Sequence, residues 1–243
     1  HMGYMTLGMY KDIIDQIAGK VEAVTLASRG EPLLNKDIIK MLEYSSNKFL
    51  GFKLNTNASL LTQDICHAIL SNLEMGTVVF SADAAEKKLY EKIRVKGKFN
   101  KVVENIARFK NIKEKHYPSS KIITRVSGVK VNSMQDIEKM EELWLKYVDQ
   151  TGFTNYTPWH SSYNNRVNEL VEPCTELWRR MFVWQDGTVN PCDYDYKSTL
   201  SVGKIQDHSI SALWQSKSYN QLREKHLSEQ RNKVAPCLQC PMI

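Results

Sequence analysis

The sequence predicts an α/β protein in which helices cover a parallel sheet and a small cysteine-bearing domain follows. Segments with helical periodicity alternate with short β-rich segments between residues 7 and 158, and this alternation is typical of right-handed strand–helix–strand units. Four of the five cysteines lie after residue 173. The 243 residues suffice for one large domain and a small appendage, and the apolar content of 42% is that of an ordinary globular protein.

The predicted elements follow one another along the first two thirds of the chain. The first helix rests on the spacing of Ile13, Ile14 and Ile17, and the fourth strand on the alternation of Ile123, Arg125 and Ser127. The sequence predicts helices at 7–18, 36–46, 62–72, 99–115 and 136–147, and strands at 21–27, 52–54, 77–80, 121–131 and 153–158. A polar stretch at 163–173 marks the predicted domain boundary.

The cysteines of the last part of the chain predict a metal or cluster site. Residues 180–192 contain Asp186-Gly187, the strongest short hairpin signal, and this hairpin ends at one of the cysteines. Four thiolates make a closed site that suits zinc or an iron–sulfur cluster, and the spacing alone favours neither. The four cysteines are Cys174, Cys192, Cys237 and Cys240, of which the last two form a Cys-x-x-Cys pair. The fifth, Cys66, is predicted to be a buried core residue of helix 62–72.

Charge and hydropathy narrow the class of protein. The net charge of +6 is spread along the chain and mixed with acidic residues, which indicates solvated helix faces, or attraction of an anionic ligand, in preference to nucleic acid binding. No apolar run approaches the roughly 20 residues that span a bilayer, and no signal peptide is visible. Together with cysteines suited to metal ligation, these features predict a cytoplasmic protein without membrane or nucleic acid partners.

Polar side chains cluster where the predicted strands end. Because ligands of parallel α/β folds sit at the carboxyl ends of the strands, these segments predict one shared pocket. The alternative is that polar residues commonly end strands. A carboxylate in the tight turn at Gly30-Glu31-Pro32 and a charge inside a strand at Arg125 favour the pocket, and Arg125 is expected to meet an anion. The remaining strand-end residues are Ser28, Asn55, Thr56, Asn57, Ser81, Asp83, Tyr156, Trp159 and His160.

These motifs resemble those of the radical S-adenosylmethionine (radical SAM) enzymes. Residues 29–34 are similar to the family's Gly-Gly-Glu-Pro element with Arg29 in place of the first glycine, and residues 55–58 to its Thr-Asn-Gly strand end with Ala58 in place of glycine. The resemblance implies that Gly30, Glu31 and Pro32 hold the amino group of S-adenosylmethionine. It also implies cofactor contacts from Asn55, Asn57, Ser81, Asp83 and, more loosely, Arg125.

The cysteine-rich part resembles the auxiliary domain of the SPASM/Twitch type. The resemblance implies that Cys174, Cys192, Cys237 and Cys240 hold one auxiliary [4Fe–4S] cluster, as in the short form of this domain. It implies a partial (β/α)6 TIM-like barrel without its first strand over residues 1–163, and a hairpin-and-helix iron–sulfur domain over residues 164–243. Zinc stays the alternative for the four thiolates.

One family element is absent from the 243 residues. The Cys-x-x-x-Cys-x-x-Cys segment that binds the first [4Fe–4S] cluster does not occur. The expectation is a fragment, or a segment left out of the sequence, with a degenerate paralogue as the alternative. A second cluster is therefore expected only with that segment, and the chain alone is expected to be inactive.

The resemblance also implies a reaction. S-adenosylmethionine would be cleaved reductively to a 5′-deoxyadenosyl radical, which takes a hydrogen atom from a small polar substrate such as a sugar or cyclitol. The auxiliary cluster would take an electron, and a flavodoxin- or ferredoxin-type protein would be the external reductant. Asp193 is the expected base, with Tyr156, Trp159 and His160 near the substrate. The alternatives are a peptide-modifying maturase and a non-catalytic iron–sulfur scaffold or electron-transfer protein.

Overall fold

The computed structural model describes residues 3–26, 28–157 and 162–240. The chain forms two compact units, which we call the barrel unit, Ala18–Tyr156, and the cluster unit, His1–Ile17 with Thr157–Ile243. The first helix, α1 (Leu7–Ile17), thus belongs to the cluster unit. The domain boundary at residues 163 and 164 stays a prediction. In the described ranges, every helix is too short or too polar to cross a bilayer.

The barrel unit is a five-stranded parallel sheet with helices, as predicted. The strands lie in chain order, each beside the next: β1 (Ala23–Leu26), β2 (Gly51–Thr56), β3 (Met75–Ser81), β4 (Lys121–Lys130) and β5 (Gln150–Asn155). The connecting helices are α2 (Ile38–Ser45), α3 (Gln63–Asn72), α4 (Lys87–Ile93), α5 (Phe99–His116) and α6 (Ile137–Trp144). The sequence pattern does not locate α4, because only Leu89 and Tyr90 of its seven residues are buried.

Alternation along the strands separates a helix-facing core from a polar inner face. On β2, Phe52 and Leu54 are buried in the core, whereas Asn55 is half-buried. A strand directs successive side chains to opposite faces, so Asn55 lies on the other side of the sheet. The parallel register pairs Asn55 with Val79 and Val79 with Arg125. The inner face therefore carries Asn55 and Arg125 in one row across three strands.

The cluster unit contains a small antiparallel sheet with short helices. Its strands are β6 (Phe182–Val183), β7 (Thr188–Asn190) and β8 (Gly203–Lys204), and its remaining helices are α7 (Glu176–Arg179), α8 (Ile210–Trp214) and α9 (Lys217–Leu227). The predicted hairpin is confirmed, with Phe182 paired to Asn190 and Gly187 in the left-handed region at φ 81°. A small core of Leu177, Tyr219, Leu222 and Val234 holds the unit together.

Candidate cofactor sites

The strand-end residues of the barrel unit border a cavity of about 280 Å³. Four of the predicted cofactor contacts line it, namely Asn55, Ser81, Asp83 and Arg125. Lys53 and Arg94, also in the lining, add two positive charges. Cationic groups outnumber the one carboxylate, so the cavity suits an anionic or zwitterionic ligand.

Apart from Arg94 Nε, which is ion-paired with Asp83, two buried polar atoms of this cavity have no hydrogen-bond partner in the described chain. They are the buried Oδ1 of Asn55 and the buried Nε of Arg125. Arg125 fits its strand because β5 carries Gly152 beside it, where a Cβ atom would lie 1.9 Å from the guanidinium Nη2. An unsatisfied acceptor and an unsatisfied cationic donor in one row indicate a polar ligand with both kinds of group. The amino acid end of S-adenosylmethionine carries both.

Glu31 joins the end of β1 to the end of β2. Its Oε1 accepts hydrogen bonds from the Thr56 hydroxyl at 2.6 Å and from Leu33 N–H at 3.1 Å, and its Oε2 accepts from Asn57 N–H at 2.7 Å. Gly30 before it has φ 88°, which glycine adopts without strain, and Pro32 begins a short 3₁₀ helix (Pro32–Leu34). The carboxylate therefore fixes the turn. Its predicted contact with the cofactor amino group stays a prediction.

The loop after β2 is fixed by side chains of its own and of α5. Asn57 Oδ1 accepts from Ser59 N–H at 2.9 Å, and Ala58 has a positive φ of 59°. Asn105 Nδ2 donates to the Ala58 carbonyl at 2.7 Å. We did not predict this role for Asn105, although a signal exists. It lies on the apolar face of α5 between Val102 and Ile106, where a buried amide needs a partner.

Asp83 is committed to two groups of its own chain. Oδ1 accepts from Val129 N–H at 2.8 Å, and Oδ2 lies 2.7 Å from Arg94 Nε. The buried Gln135 supports the same corner, because its Nε2 donates to the carbonyl oxygens of Asp83 and Val129. No periodicity or motif in the sequence singles out Gln135. Ser81, the last residue of β3, lies two residues before Asp83 and also lines the cavity.

The predicted substrate-side residues are only partly described. Tyr156 is half exposed and its N–H donates to the Lys130 carbonyl at 3.0 Å, whereas Trp159 and His160 lie outside the described residues. In the cluster unit, Asp193 is half-buried and its negative charge acts on Cys192. Their roles toward a substrate, including Asp193 as base, stay predictions.

Asp195 has a different environment from Asp193. It is fully buried, and its carboxylate accepts the hydroxyl of Tyr163, the N–H and hydroxyl of Thr199, and the N–H of Leu200. Burial, and then this hydrogen bond to Asp195, raises the pKa of Tyr163 to about 12. The carboxylate is therefore saturated by Tyr163 and by its own loop, which it holds in shape next to Cys192.

The four cysteines of the cluster unit form no disulfide, and their charges act on one another. Burial raises the pKa of Cys237 to about 12, with additional contributions from the charges of Cys192, Cys240 and Cys174. Burial likewise raises the pKa of Cys192 to about 12. In the part of the chain that the structure describes, no set of three or more Cys, His, Asp or Glu side chains reaches the spacing of metal ligands.

The surroundings of the thiols fit an iron–sulfur cluster. Tyr194 N–H donates to Cys192 Sγ at 3.3 Å, and such N–H to sulfur bonds are part of the environment that sets a cluster's potential. His226 Nδ1 accepts the N–H of Cys174 at 3.2 Å. Burial, and then the charge of Arg231, lowers the pKa of His226 to about 4, so the imidazole is neutral.

The sequence matches two known domains. Residues 1–143 match the Radical SAM superfamily, and residues 174–241 match SPASM, an iron–sulfur cluster-binding domain. The mycofactocin maturase MftC of Mycolicibacterium smegmatis is 23% identical over 174 residues, which are 72% of this chain and 42% of that protein. The chain thus matches less than half the length of this curated relative.

Solved structures share the fold. Streptococcus suis SuiB bound to precursor peptide SuiA has a TM-score of 0.70 at 16% identity, over 95% of this chain and 62% of SuiB. BtrN in complex with AdoMet and 2-DOIA has a TM-score of 0.62 at 16% identity, over 100% of this chain and 82% of BtrN. The parallel sheet is thus that of a partial TIM-like barrel. The chain belongs to the radical SAM superfamily, has a SPASM-type iron–sulfur domain, and its cofactors are S-adenosylmethionine and [4Fe–4S] clusters.

Proposed function

We propose that the cavity of the barrel unit binds the amino acid end of S-adenosylmethionine and that the protein is a radical SAM oxidoreductase. The observation that carries this proposal is the row formed by Asn55 and Arg125, each with a buried polar atom facing no partner in the described chain. The Arg125 guanidinium pairs with the cofactor carboxylate, and the Asn55 Oδ1 accepts from its ammonium group. Glu31 and Asn57 hold the neighbouring turn.

The substrate that we propose is a small polar alcohol of the sugar or cyclitol type. With one electron from a cluster on a Cys-x-x-x-Cys-x-x-Cys segment, bound S-adenosylmethionine would give methionine and the 5′-deoxyadenosyl radical that takes a hydrogen atom from the alcohol carbon. Asp193 would accept the hydroxyl proton. Cys174, Cys192, Cys237 and Cys240 would hold the auxiliary cluster as the acceptor of the second electron, and the product would be a ketone. Support comes from the likeness to BtrN, solved with AdoMet and 2-DOIA, and from a cysteine arrangement that resembles 2-deoxy-scyllo-inosamine dehydrogenase.

A second candidate is modification of a peptide. It is favoured by the sequence match to the maturase MftC and by the TM-score of 0.70 with SuiB bound to its precursor peptide. In this case the same cofactor sites act on a peptide instead of a cyclitol. A third candidate, an iron–sulfur scaffold or electron-transfer protein, needs the four cysteines but not the cavity.

Product analysis separates the candidates. The chain is joined to a segment that supplies Cys-x-x-x-Cys-x-x-Cys, reconstituted anaerobically, and given S-adenosylmethionine with dithionite or reduced flavodoxin. We expect 5′-deoxyadenosine from this fusion and none from the 243 residues alone. Deuterium transfer from a carbon-deuterated aminocyclitol into 5′-deoxyadenosine supports the oxidoreductase, and transfer from a peptide supports the maturase. If the fusion forms no 5′-deoxyadenosine with either the aminocyclitol or the peptide, the result contradicts the oxidoreductase and the maturase and favours the scaffold.

A separate measurement tests the cluster. The 243-residue chain is reconstituted with iron and sulfide, reduced, and examined by electron paramagnetic resonance. We expect about four iron atoms per chain, as four thiolate ligands bind one [4Fe–4S] cluster. Stoichiometric zinc with no signal from a reduced cluster would identify a structural zinc site instead.

A further inference from the structure

His226 occupies a fully buried position on α9 beside one of the four cysteines. Its Nδ1 accepts the backbone N–H of Cys174 at 3.2 Å. A ring nitrogen that accepts a hydrogen bond carries no proton, so the neutral imidazole holds its proton on Nε2. That Nε2–H is buried and has no hydrogen-bond partner in the described part of the chain.

A buried donor without a partner is uncommon in folded proteins and needs an explanation. The neighbouring backbone explains only Nδ1, which orients the ring and fixes the tautomer. Residues that are not ligands themselves commonly support a metal centre through hydrogen bonds to its ligands. These hydrogen bonds orient the ligands and tune the properties of the metal. Because Cys174 is a proposed cluster ligand, a sulfur atom is the acceptor that cluster assembly would bring to this part of the unit.

Arg231 is the second polar group buried beside the thiols. Its side chain belongs to a residue that is 1% exposed, and its Nη1 donates to the Glu172 carbonyl at 3.3 Å. The 3₁₀ helix Arg231–Lys233 packs against the 3₁₀ helix Cys237–Gln239, and the guanidinium charge acts on both Cys237 and His226. Whatever its other contacts, a buried guanidinium interacts strongly with negative charge held by neighbouring groups. A cluster held by four thiolates carries net negative charge.

We propose that His226 and Arg231 are positioning residues for the auxiliary cluster, in which the Nε2–H donates to sulfur, the guanidinium supplies a buried positive charge, and both raise the midpoint potential. The inference rests on the proposed function, because it assumes that the four cysteines hold the cluster. Reduction adds a negative charge to a group that is already anionic. A nearby donor and cation therefore stabilise the reduced form more than the oxidised form.

Two substitutions separate the roles of the imidazole nitrogens. His226→Asn keeps an acceptor near the position of Nδ1 and removes the donor at Nε2. His226→Gln places an amide donor near Nε2 and removes the acceptor for Cys174 N–H. We expect His226→Asn to assemble a full cluster with a more negative midpoint potential. We expect His226→Gln to assemble less cluster per chain, with the potential of the assembled fraction close to wild type.

The role of the buried charge is tested by substituting Arg231. Lys233, in the same three-residue 3₁₀ helix, is the matched control. Arg231→Met removes the buried charge, whereas Lys233→Met removes an exposed one. We expect Arg231→Met to lower the equilibrium constant of cluster reduction about tenfold, which is about 59 mV for one electron, and Lys233→Met to leave it unchanged. Arg231→Gln replaces Arg231→Met if circular dichroism shows that the latter does not fold.

Redox titration of the reconstituted 243-residue chain, followed by electron paramagnetic resonance, gives the readout. Full clusters at the wild-type potential in both His226→Asn and Arg231→Met overturn the inference and leave the proposed cluster intact. Equal shifts in Arg231→Met and Lys233→Met overturn the specific role of the buried charge. A wild-type chain that takes up no iron–sulfur cluster overturns the proposed cluster site and this inference together.

Discussion

Glu31 shows how one side chain joins two strand ends. Its carboxylate accepts from the Thr56 hydroxyl, Asn57 N–H and Leu33 N–H. Glu31→Gln replaces one of the two acceptor oxygens by an NH₂ group. The NH₂ group cannot accept the hydrogen bond that the replaced oxygen accepted. We expect a loss of about 1–3 kcal/mol in the free energy of unfolding, measured by urea denaturation. Glu43→Gln, an exposed change on α2, is the control, and an equal effect in both variants would contradict the role of Glu31.

Arg125 is the opposite case, because we propose that its charge serves a ligand and not the fold. Its Nε has no partner in the described chain. Arg125→Met removes the charge at similar length. We expect the affinity for S-adenosylmethionine, measured by calorimetry on the fusion described above, to fall about tenfold or more, since a hydrogen bond to a charged group contributes about 1.5–3 kcal/mol.

The stability of the same variant is a second readout. Losing a half-buried cation whose buried Nε has no partner in the described chain should leave the free energy of unfolding unchanged or raise it. Lys121→Met, an exposed change at the start of β4, is the matched control. Unchanged cofactor affinity in Arg125→Met, or weakened affinity in Lys121→Met as well, would contradict the proposed carboxylate contact.

At the scale of elements, α5 fixes the loop that follows β2. Asn105 donates to the Ala58 carbonyl at 2.7 Å, and Arg108 donates to Asn105 Oδ1 at 2.8 Å. Asn105→Leu leaves the buried Ala58 carbonyl without this donor, so we expect a loss of about 1–3 kcal/mol in the free energy of unfolding. We also expect faster amide hydrogen exchange at residues 57–61. Glu104→Leu, on the exposed face of the same helix, should show neither effect.

The same elements explain which features the sequence could predict. The parallel sheet and the Asp186-Gly187 hairpin follow from local periodicity and turn chemistry, and both are confirmed. Strand lengths do not follow as well, because β2 runs from Gly51 to Thr56 and includes two polar residues that the pattern excludes. The sequence pattern does not predict helix α4, because only two of its seven residues are buried and the segment shows no helical periodicity of apolar residues.

The cofactor cavity is predictable in outline and not in detail. Strand ends meet at one edge of a parallel sheet, so Asn55, Ser81, Asp83 and Arg125 could be placed together from sequence, and they line one cavity. Gln135 and His226 could not be placed, because their partners are backbone groups at long sequence separation and leave no pattern. The sequence also could not show that Asp83 is committed to Arg94 and Val129.

At the scale of the whole molecule, we expect the folding stability of the two units to depend differently on their cofactors. The barrel unit has a core of many buried side chains drawn from β2, β3, β4 and the helices α2 to α6. The described part of the cluster unit buries fewer apolar side chains, in separate groups such as Leu177, Tyr219, Leu222 and Val234. A small core rarely stabilises a fold alone, and metal ligation commonly supplies the rest.

Removal of the cluster should therefore unfold one unit and spare the other. We expect Cys192→Ser to lose the cluster and, in hydrogen exchange followed by mass spectrometry, to lose protection in α9 while β2 to β4 keep theirs. Cys66→Ala removes the buried cysteine of α3 instead, and it should retain iron and protection in the cluster unit. Equal loss of protection in both units of Cys192→Ser would mean that they fold as one. Full protection of α9 without the cluster would mean that the apolar packing of the cluster unit is sufficient by itself.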